Sequence, residues 1–184
     1  MNRNWFCGLC ATMAVATAAI AQSTHYSVGR VATPDEIRKR DISVGPDGSG
    51  LPVGHGTVQQ GRLIYQTLCA NCHGDRGQGI GPYPALVGGQ GTLASPKPIL
   101  TVGSYWPYAT TVWDYIRRTM PYQKPGSLSV DETYSLTAFI LYMNGILGES
   151  TKLNEKILPA IKMPNRDGFV PDPRPDVSVT KDKN

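Results

Sequence analysis

The run Cys69-Ala-Asn-Cys72-His73 places two thiols three positions apart, with an imidazole directly behind the second. That spacing could form half of a zinc site, a redox dithiol, or the attachment point of a haem. The other ligands left in the working chain decide between them. Residues 1–21 read as a secretory leader. Arg3 supplies a positive start, residues 5–20 are apolar and uncharged, and Ala19-Ile20-Ala21 offers small residues for cleavage before Gln22. The apolar run is shorter than a membrane span needs, which sets the leader against the alternative of an uncleaved N-terminal anchor. A lipoprotein signal does not fit, because Cys10 follows a leucine rather than a small residue. Cleavage removes Cys7 and Cys10, leaving Cys69 and Cys72 as the thiols of the exported chain.

Structural zinc usually takes four protein ligands. Here His25, His55 and His73 would have to complete the set, and His73 is awkwardly placed for tetrahedral closure because it adjoins Cys72. A thioredoxin-like dithiol opens a helix after a strand, and no strand-like run precedes Cys69. The pattern C-x-x-C-H is instead that of covalent haem attachment. The thiols add across the two porphyrin vinyl groups, and the histidine lies under the ring to offer a nitrogen to iron. The reading is one haem c, with His73 as an axial ligand.

The other face of the iron needs a second ligand. Without its leader the chain keeps Met120, Met143 and Met163. Met120 closes a helical segment that starts near Thr111, which forms a capping-box spacing with Asp114, and that Pro121 ends. A thioether at a helix end can turn towards iron without breaking a helical ladder, and it gives a higher potential than a second histidine. Met143 falls on the apolar stripe of the next helix, where packing accounts for it. Met163 also precedes a proline but lies beyond the last core helix. Met120 is therefore the assigned ligand, with Met163, His55, His25 or an open site as alternatives.

These residues need elements to position them. A helix over 58–69 leads into the motif, with Val58, Arg62, Tyr65 and Leu68 at helical spacing and Gly61 where a second backbone can approach. The glycine-rich run 74–86 lets the chain pass close to a porphyrin. Within it Pro82, which has a carbonyl and no N–H, is the expected acceptor for His73 Nδ1. A helix over 128–145 opens on a Ser129/Glu132 capping box and presents Leu136, Phe139, Ile140, Met143 and Leu147 on a broad apolar face. Its expected partner is the first helix, crossing at Gly61 and Tyr65. No segment alternates as a strand does, so the expected fold is a small all-α domain.

Trp106, in Tyr105-Trp106-Pro107-Tyr108, is expected to shield the porphyrin edge and offer its N–H to a propionate. Arg117 and Arg118 either balance propionate charge or form a solvated helix face. Glycine (20) and proline (15) make up nearly a fifth of the 184 residues, which points to long irregular segments around a small centre. The stretches 22–56 and 149–184 are such arms, either partly disordered or lying along the core through anchors such as Ile37, Leu51, Ile161 and Phe169. The formal charge of +4 falls by one with Arg3, and without a concentrated basic patch there is no reason to expect nucleic acid as a partner.

Cys69-Ala-Asn-Cys72-His73, the Gly81-Pro82 pair, Met120-Pro121 and the flanking helices together resemble the class I c-type cytochromes over about residues 57–147. The resemblance implies a monohaem domain at 57–148 with His73 proximal, Met120 distal and Pro82 bonded to His73. It also implies one porphyrin edge exposed for electron transfer. A narrower likeness lies in Gly103-Ser-Tyr-Trp-Pro-Tyr-Ala-Thr-Thr-Val-Trp-Asp-Tyr-Ile-Arg-Arg-Thr-Met-Pro121 and Leu136-Thr-Ala-Phe-Ile-Leu-Tyr-Met-Asn-Gly145, with the segments 41–52 and 163–175. These resemble cytochrome domains paired with molybdenum sulfite or sulfane dehydrogenases in bacterial sulfur oxidation. That implies a periplasmic electron carrier, without a membrane span once the leader is gone. It would accept electrons singly from a molybdenum sulfite dehydrogenase and pass them to a downstream cytochrome or terminal oxidase. Dihaem sulfane dehydrogenase subunits depart from this chain, which has one C-x-x-C-H, so the likeness favours a monohaem subunit or separate acceptor. The rival readings are the cytochrome subunit of a sulfane or thiosulfate dehydrogenase, a haem with its own catalysis at an exchangeable sixth site, and a structural or sensory haem module.

Overall fold

The computed structural model describes residues 28–172 and 174, which fall into two units divided between Arg40 and Asp41. The expected leader, His25 and the end of the C-terminal arm lie outside the described residues. In the first unit, helix α1 (Pro34–Arg40) opens on proline, with acidic residues in its first turn and basic ones in its last. That order suits both the fixed φ of proline and the helix dipole. Arg30 bonds Glu36 at 2.8 Å and, with Thr33, holds its carboxyl down to about 2. No residue of α1 is buried, Ile37 included.

The second unit runs β1 (His55–Thr57), α2 (Val58–Leu68), α3 (Ala70–His73), α4 (Ala109–Thr119), α5 (Val130–Met143), β2 (Lys152–Asn154) and a 3-10 turn, Leu158–Ala160. Thr57 and Gln60 cap α2 reciprocally, the Gln60 N–H reaching Thr57 Oγ1 at 3.2 Å and the Thr57 N–H reaching Gln60 Oε1 at 3.1 Å. The Ser129/Glu132 box opens α5 in the same way. The expected Thr111/Asp114 box does not form. Helix α4 begins two residues earlier, at Ala109 after Tyr108, which leaves Thr111 inside the helix and Asp114 paired with Arg118 at 2.8 Å.

Helix α5 is central, with every residue from Thr133 to Leu141 buried. Helix α2 crosses it at Gly61, where a Cβ would lie 1.9 Å from the Ser135 carbonyl oxygen and 2.8 Å from the Phe139 Cβ. Only glycine permits that approach. One turn on, the Tyr65 and Phe139 rings meet edge to face at 5.3 Å.

The all-α expectation needs one correction, since β1 and β2 form a short antiparallel ladder that pairs His55 with Asn154, Gly56 with Leu153 and Thr57 with Lys152. Three residues per strand are too few for an alternating pattern to stand out in sequence. The ladder draws the flanking segments onto the helices. A Cβ on Gly56 would lie 2.2 Å from the Ser135 backbone nitrogen, the Tyr134 hydroxyl donates to the Pro52 carbonyl at 2.9 Å, and Asp131 accepts from the His55 N–H at 2.8 Å. Leu153, Leu158 and Met163 are buried in the same core, with Val44, Leu51 and Ile161 packed against it. The inner parts of both arms therefore lie along the core. The result is a small, mostly helical fold with a short β-ladder. Among the described residues no helix is long and apolar enough to cross a membrane.

Two substitutions test this framework. Gly61→Ala forces a methyl group into backbone and should lower unfolding free energy by about 3 kcal/mol; an unchanged denaturation midpoint would contradict the crossing. The Ser129 N–H and hydroxyl hold the Glu132 carboxyl below its ordinary value. That stabilisation is present above the pKa of the unfolded carboxyl and is lost as pH falls through the lowered folded value. Wild type should therefore exceed Glu132→Gln in stability at neutral pH, and the two should converge in acid.

Candidate functional site

The motif is a helical turn built directly on the end of α2. The Cys69 N–H donates to the Tyr65 carbonyl at 2.9 Å, and the N–H groups of Cys72 and His73 both return to the Cys69 carbonyl, at 3.1 and 2.9 Å. Both cysteines, with His73, line a cavity of about 330 Å³. Before any attachment, burial, and then the neighbouring Cys72, pushes the Cys69 thiol up to about 11. Behind the motif the buried Tyr65 hydroxyl donates to the Gly74 carbonyl at 2.8 Å. Burial, with Cys69 and Asp75 nearby, pushes this phenol up, so it stays a donor.

His73 Nδ1 lies 2.9 Å from the carbonyl oxygen of Pro84, not of Pro82. The expected acceptor was two residues early. Pro82 is exposed within a tight turn closed by the Tyr83 N–H on the Ile80 carbonyl at 3.1 Å, and the chain returns alongside the histidine only after that turn. Gly79, at φ +79°, makes the return possible, for a Cβ there would lie 2.7 Å from the Tyr83 carbonyl oxygen and 3.0 Å from the Pro84 carbonyl carbon. The Gly79 N–H also donates to the His73 carbonyl at 2.7 Å. With Nδ1 donating to Pro84, Nε2 is the ring nitrogen left with a lone pair for a metal.

Met120 lines the same cavity from the end of α4. Its N–H completes the helix on the Ile116 carbonyl at 3.0 Å, while its own backbone is already extended at φ −117°, ψ 148°. Pro121 dictates that conformation, since the residue before proline is driven out of the helical region. Of the other candidate ligands, Met163 is buried in the core, Met143 is packed against it and His55 is exposed on β1; none lines the cavity.

The walls are apolar. Val112 and Ile116 come from α4, Leu136 and Ile140 from α5, and Leu68 from the end of α2, while Trp106 and Tyr115 also line the cavity and meet edge to face at 5.5 Å. Thr101 is a polar wall residue whose hydroxyl donates to the Gly88 carbonyl at 2.6 Å. Arg117 and Arg118 do not line the cavity: Arg117 bonds the Leu128 carbonyl and Arg118 the Asp114 carboxylate. Sequence reasoning did not single out Pro84, Tyr115 or Thr101 for the site. Only the resemblance of -Pro82-Tyr-Pro84- to itself could have pointed to Pro84, because both prolines lack an N–H.

The residues present fit a haem. Two thiols suited to thioether bonds, an imidazole with one nitrogen already oriented, and a thioether side chain line one apolar cavity. Dry walls of this kind favour a large planar hydrophobic group and separate its iron from water.

Residues 58–144 match the family model for cytochrome c. Among solved structures, a chain of the sulfane dehydrogenase SoxCD from Paracoccus pantotrophus is 44% identical, with a TM-score of 0.75. The match covers 83% of this chain and 75% of that one, so it extends well beyond the span of the family match. No curated protein matches.

The site makes a direct prediction. In the oxidised holoprotein a sulfur-to-iron charge-transfer band should be visible in the far red and absent from Met120→Ala. Met120→His should keep the haem but lower its midpoint potential, because imidazole favours the oxidised iron relative to thioether. A native protein that lacks the band and readily binds added cyanide or imidazole would contradict Met120 as ligand.

Proposed function

The chain belongs to the cytochrome c family, whose members carry covalently bound haem c, and from that premise we propose that it is the electron-transfer partner of a sulfur-oxidising molybdenum enzyme. The observation that carries the reading is the placing of His73 and Met120 on one apolar cavity, because a filled pair of axial positions suits a carrier rather than a site that binds substrate. When bound, the haem supplies a one-electron Fe(III)/Fe(II) couple. The chain contributes attachment through Cys69 and Cys72, orientation of His73 through Pro84, and exclusion of water by the α4 and α5 walls. No side chain needs to act as a general acid or base.

The finer proposal is that electrons arrive singly from a molybdenum sulfite dehydrogenase and leave to a downstream cytochrome or terminal oxidase. The expected leader supports an exchange in a bacterial periplasm. The one C-x-x-C-H of this sequence provides attachment for one haem. A second reading, a subunit of a sulfane dehydrogenase, is favoured by the 44% identity to the SoxCD chain.

Stopped-flow reduction separates these. The oxidised protein should be reduced rapidly by a sulfite dehydrogenase with sulfite, and not by sulfite alone. Reduction only by a sulfane dehydrogenase catalytic subunit with its substrate would replace the first reading with the second. Reduction by neither enzyme would overturn both, and reduction by sulfite alone would point to catalysis at the haem itself.

A further inference from the structure

Among the described residues, the C-terminal segment contributes none to the cavity, yet it grips the chain on both sides of one that does. Trp106 lines the cavity, and Tyr105 just before it and Tyr108 two residues after it are each held twice by residues 162–169. Before it, the Tyr105 carbonyl accepts from Asn165 Nδ2 at 2.7 Å, and the Tyr105 ring meets the Phe169 ring edge to face at 5.2 Å. After it, Tyr108 forms an antiparallel bridge with Lys162, and the Arg166 guanidinium lies over the Tyr108 ring at 4.4 Å. The gripping segment is itself anchored and folded. Met163 is buried in the core, and the Arg166 N–H returns to the Met163 carbonyl at 3.1 Å. The Gly168 N–H returns to the Asn165 carbonyl at 3.2 Å.

We propose that residues 162–169 are a clamp that positions Trp106 against the cofactor, so that a segment outside the cavity sets the environment of the group within it. The physical reason is that Tyr105-Trp106-Pro107-Tyr108 precedes α4 without regular structure of its own, so its backbone needs partners from elsewhere. A hydrogen bond from the Asn165 side-chain amide and a strand-like bridge supply them, while an aromatic edge contact and a cation over a ring hold the side chains of Tyr105 and Tyr108. Released from these, the indole would keep its contact with Tyr115 on α4 but lose the constraint on its backbone. Asn165, Arg166 and Phe169 are thus positioning residues that act through Trp106. The proposal rests on haem occupying this cavity and not on the identity of the electron donor.

The test uses the full-length holoprotein and reads Soret-region circular dichroism, which reports aromatic rings close to the haem, together with midpoint potential and thermal stability. Asn165→Ala/Arg166→Ala/Phe169→Ala retains the buried Met163. It should change the Soret dichroism and the potential in the same direction as Trp106→Ala. Added to Trp106→Ala, it should produce no further spectral change, the non-additivity expected of residues acting through one another. Arg166→Lys, which keeps a cation over Tyr108, should retain the native spectrum. A triple variant with lowered thermal stability but native dichroism and potential would overturn the clamp and leave a mere brace, as would a spectral change that adds fully to that of Trp106→Ala. If the triple variant does not accumulate, Arg166→Ala compared with Arg166→Lys gives the same decision: a native spectrum in both overturns the proposal.

Discussion

The close crossing of α2 over α5 is the contact on which the rest depends. At Gly61 the two backbones approach until no side-chain carbon can fit between them and Ser135. That fixes where α2 ends, and therefore where Cys69, Cys72 and His73 lie relative to Leu136 and Ile140 on α5. The contact also explains why β1 can lie alongside, since Gly56 meets the same residue, Ser135, from its amide side. Two glycines on one short stretch thus let two segments share one helix face. Packing of this density transmits displacement rather than absorbing it, so a change at the crossing moves the attachment turn.

The opposite wall is held by polar bonds rather than by helix packing. His73 ties the loop at Pro84, Asn144 donates to the Leu86 carbonyl at 3.1 Å, and Thr101 secures the Gly88 carbonyl. These bonds satisfy carbonyls of an irregular segment that has no secondary structure to pair with. Met120 is placed by a third device, the enforced end of a helix at a proline. The cavity is consequently a meeting point of three kinds of constraint: apolar packing from the helices, hydrogen bonds from the loop, and backbone restriction at Pro121.

Elements of this arrangement differ in how far they can be read from sequence. The attachment turn and the α5 cap are local, each encoded within a few residues, and the structure forms both. Gly61 stands out because a glycine on the buried stripe of a helix has few other uses. The Thr111/Asp114 cap misleads because capping spacing also occurs inside a helix, and the start at Ala109 is set by the preceding segment rather than by those two side chains. Pro84 in place of Pro82 reflects the path of a loop through several positive-φ glycines, which no periodic pattern encodes. The β-ladder and the clamp at Tyr105 and Tyr108 join residues about 100 and 60 positions apart, respectively. Their sequences show only short polar and proline-rich stretches, so the arms offered two readings until packing chose between them.

An electron carrier asks of its chain a fixed cofactor, a chosen pair of ligands and dry walls, and on the proposed reading each is assigned to named residues that line one cavity. The central claim is that the cavity holds haem with His73 and Met120 on its two faces. Proton NMR of the reduced holoprotein tests it most directly, because a methionine bound to low-spin iron sits in the ring current of the porphyrin. The account predicts one methionine methyl resonance shifted far upfield, lost in Met120→Ala and retained in Met163→Leu. A native spectrum without a shifted methionine, or one whose shifted methyl survives Met120→Ala, would contradict it.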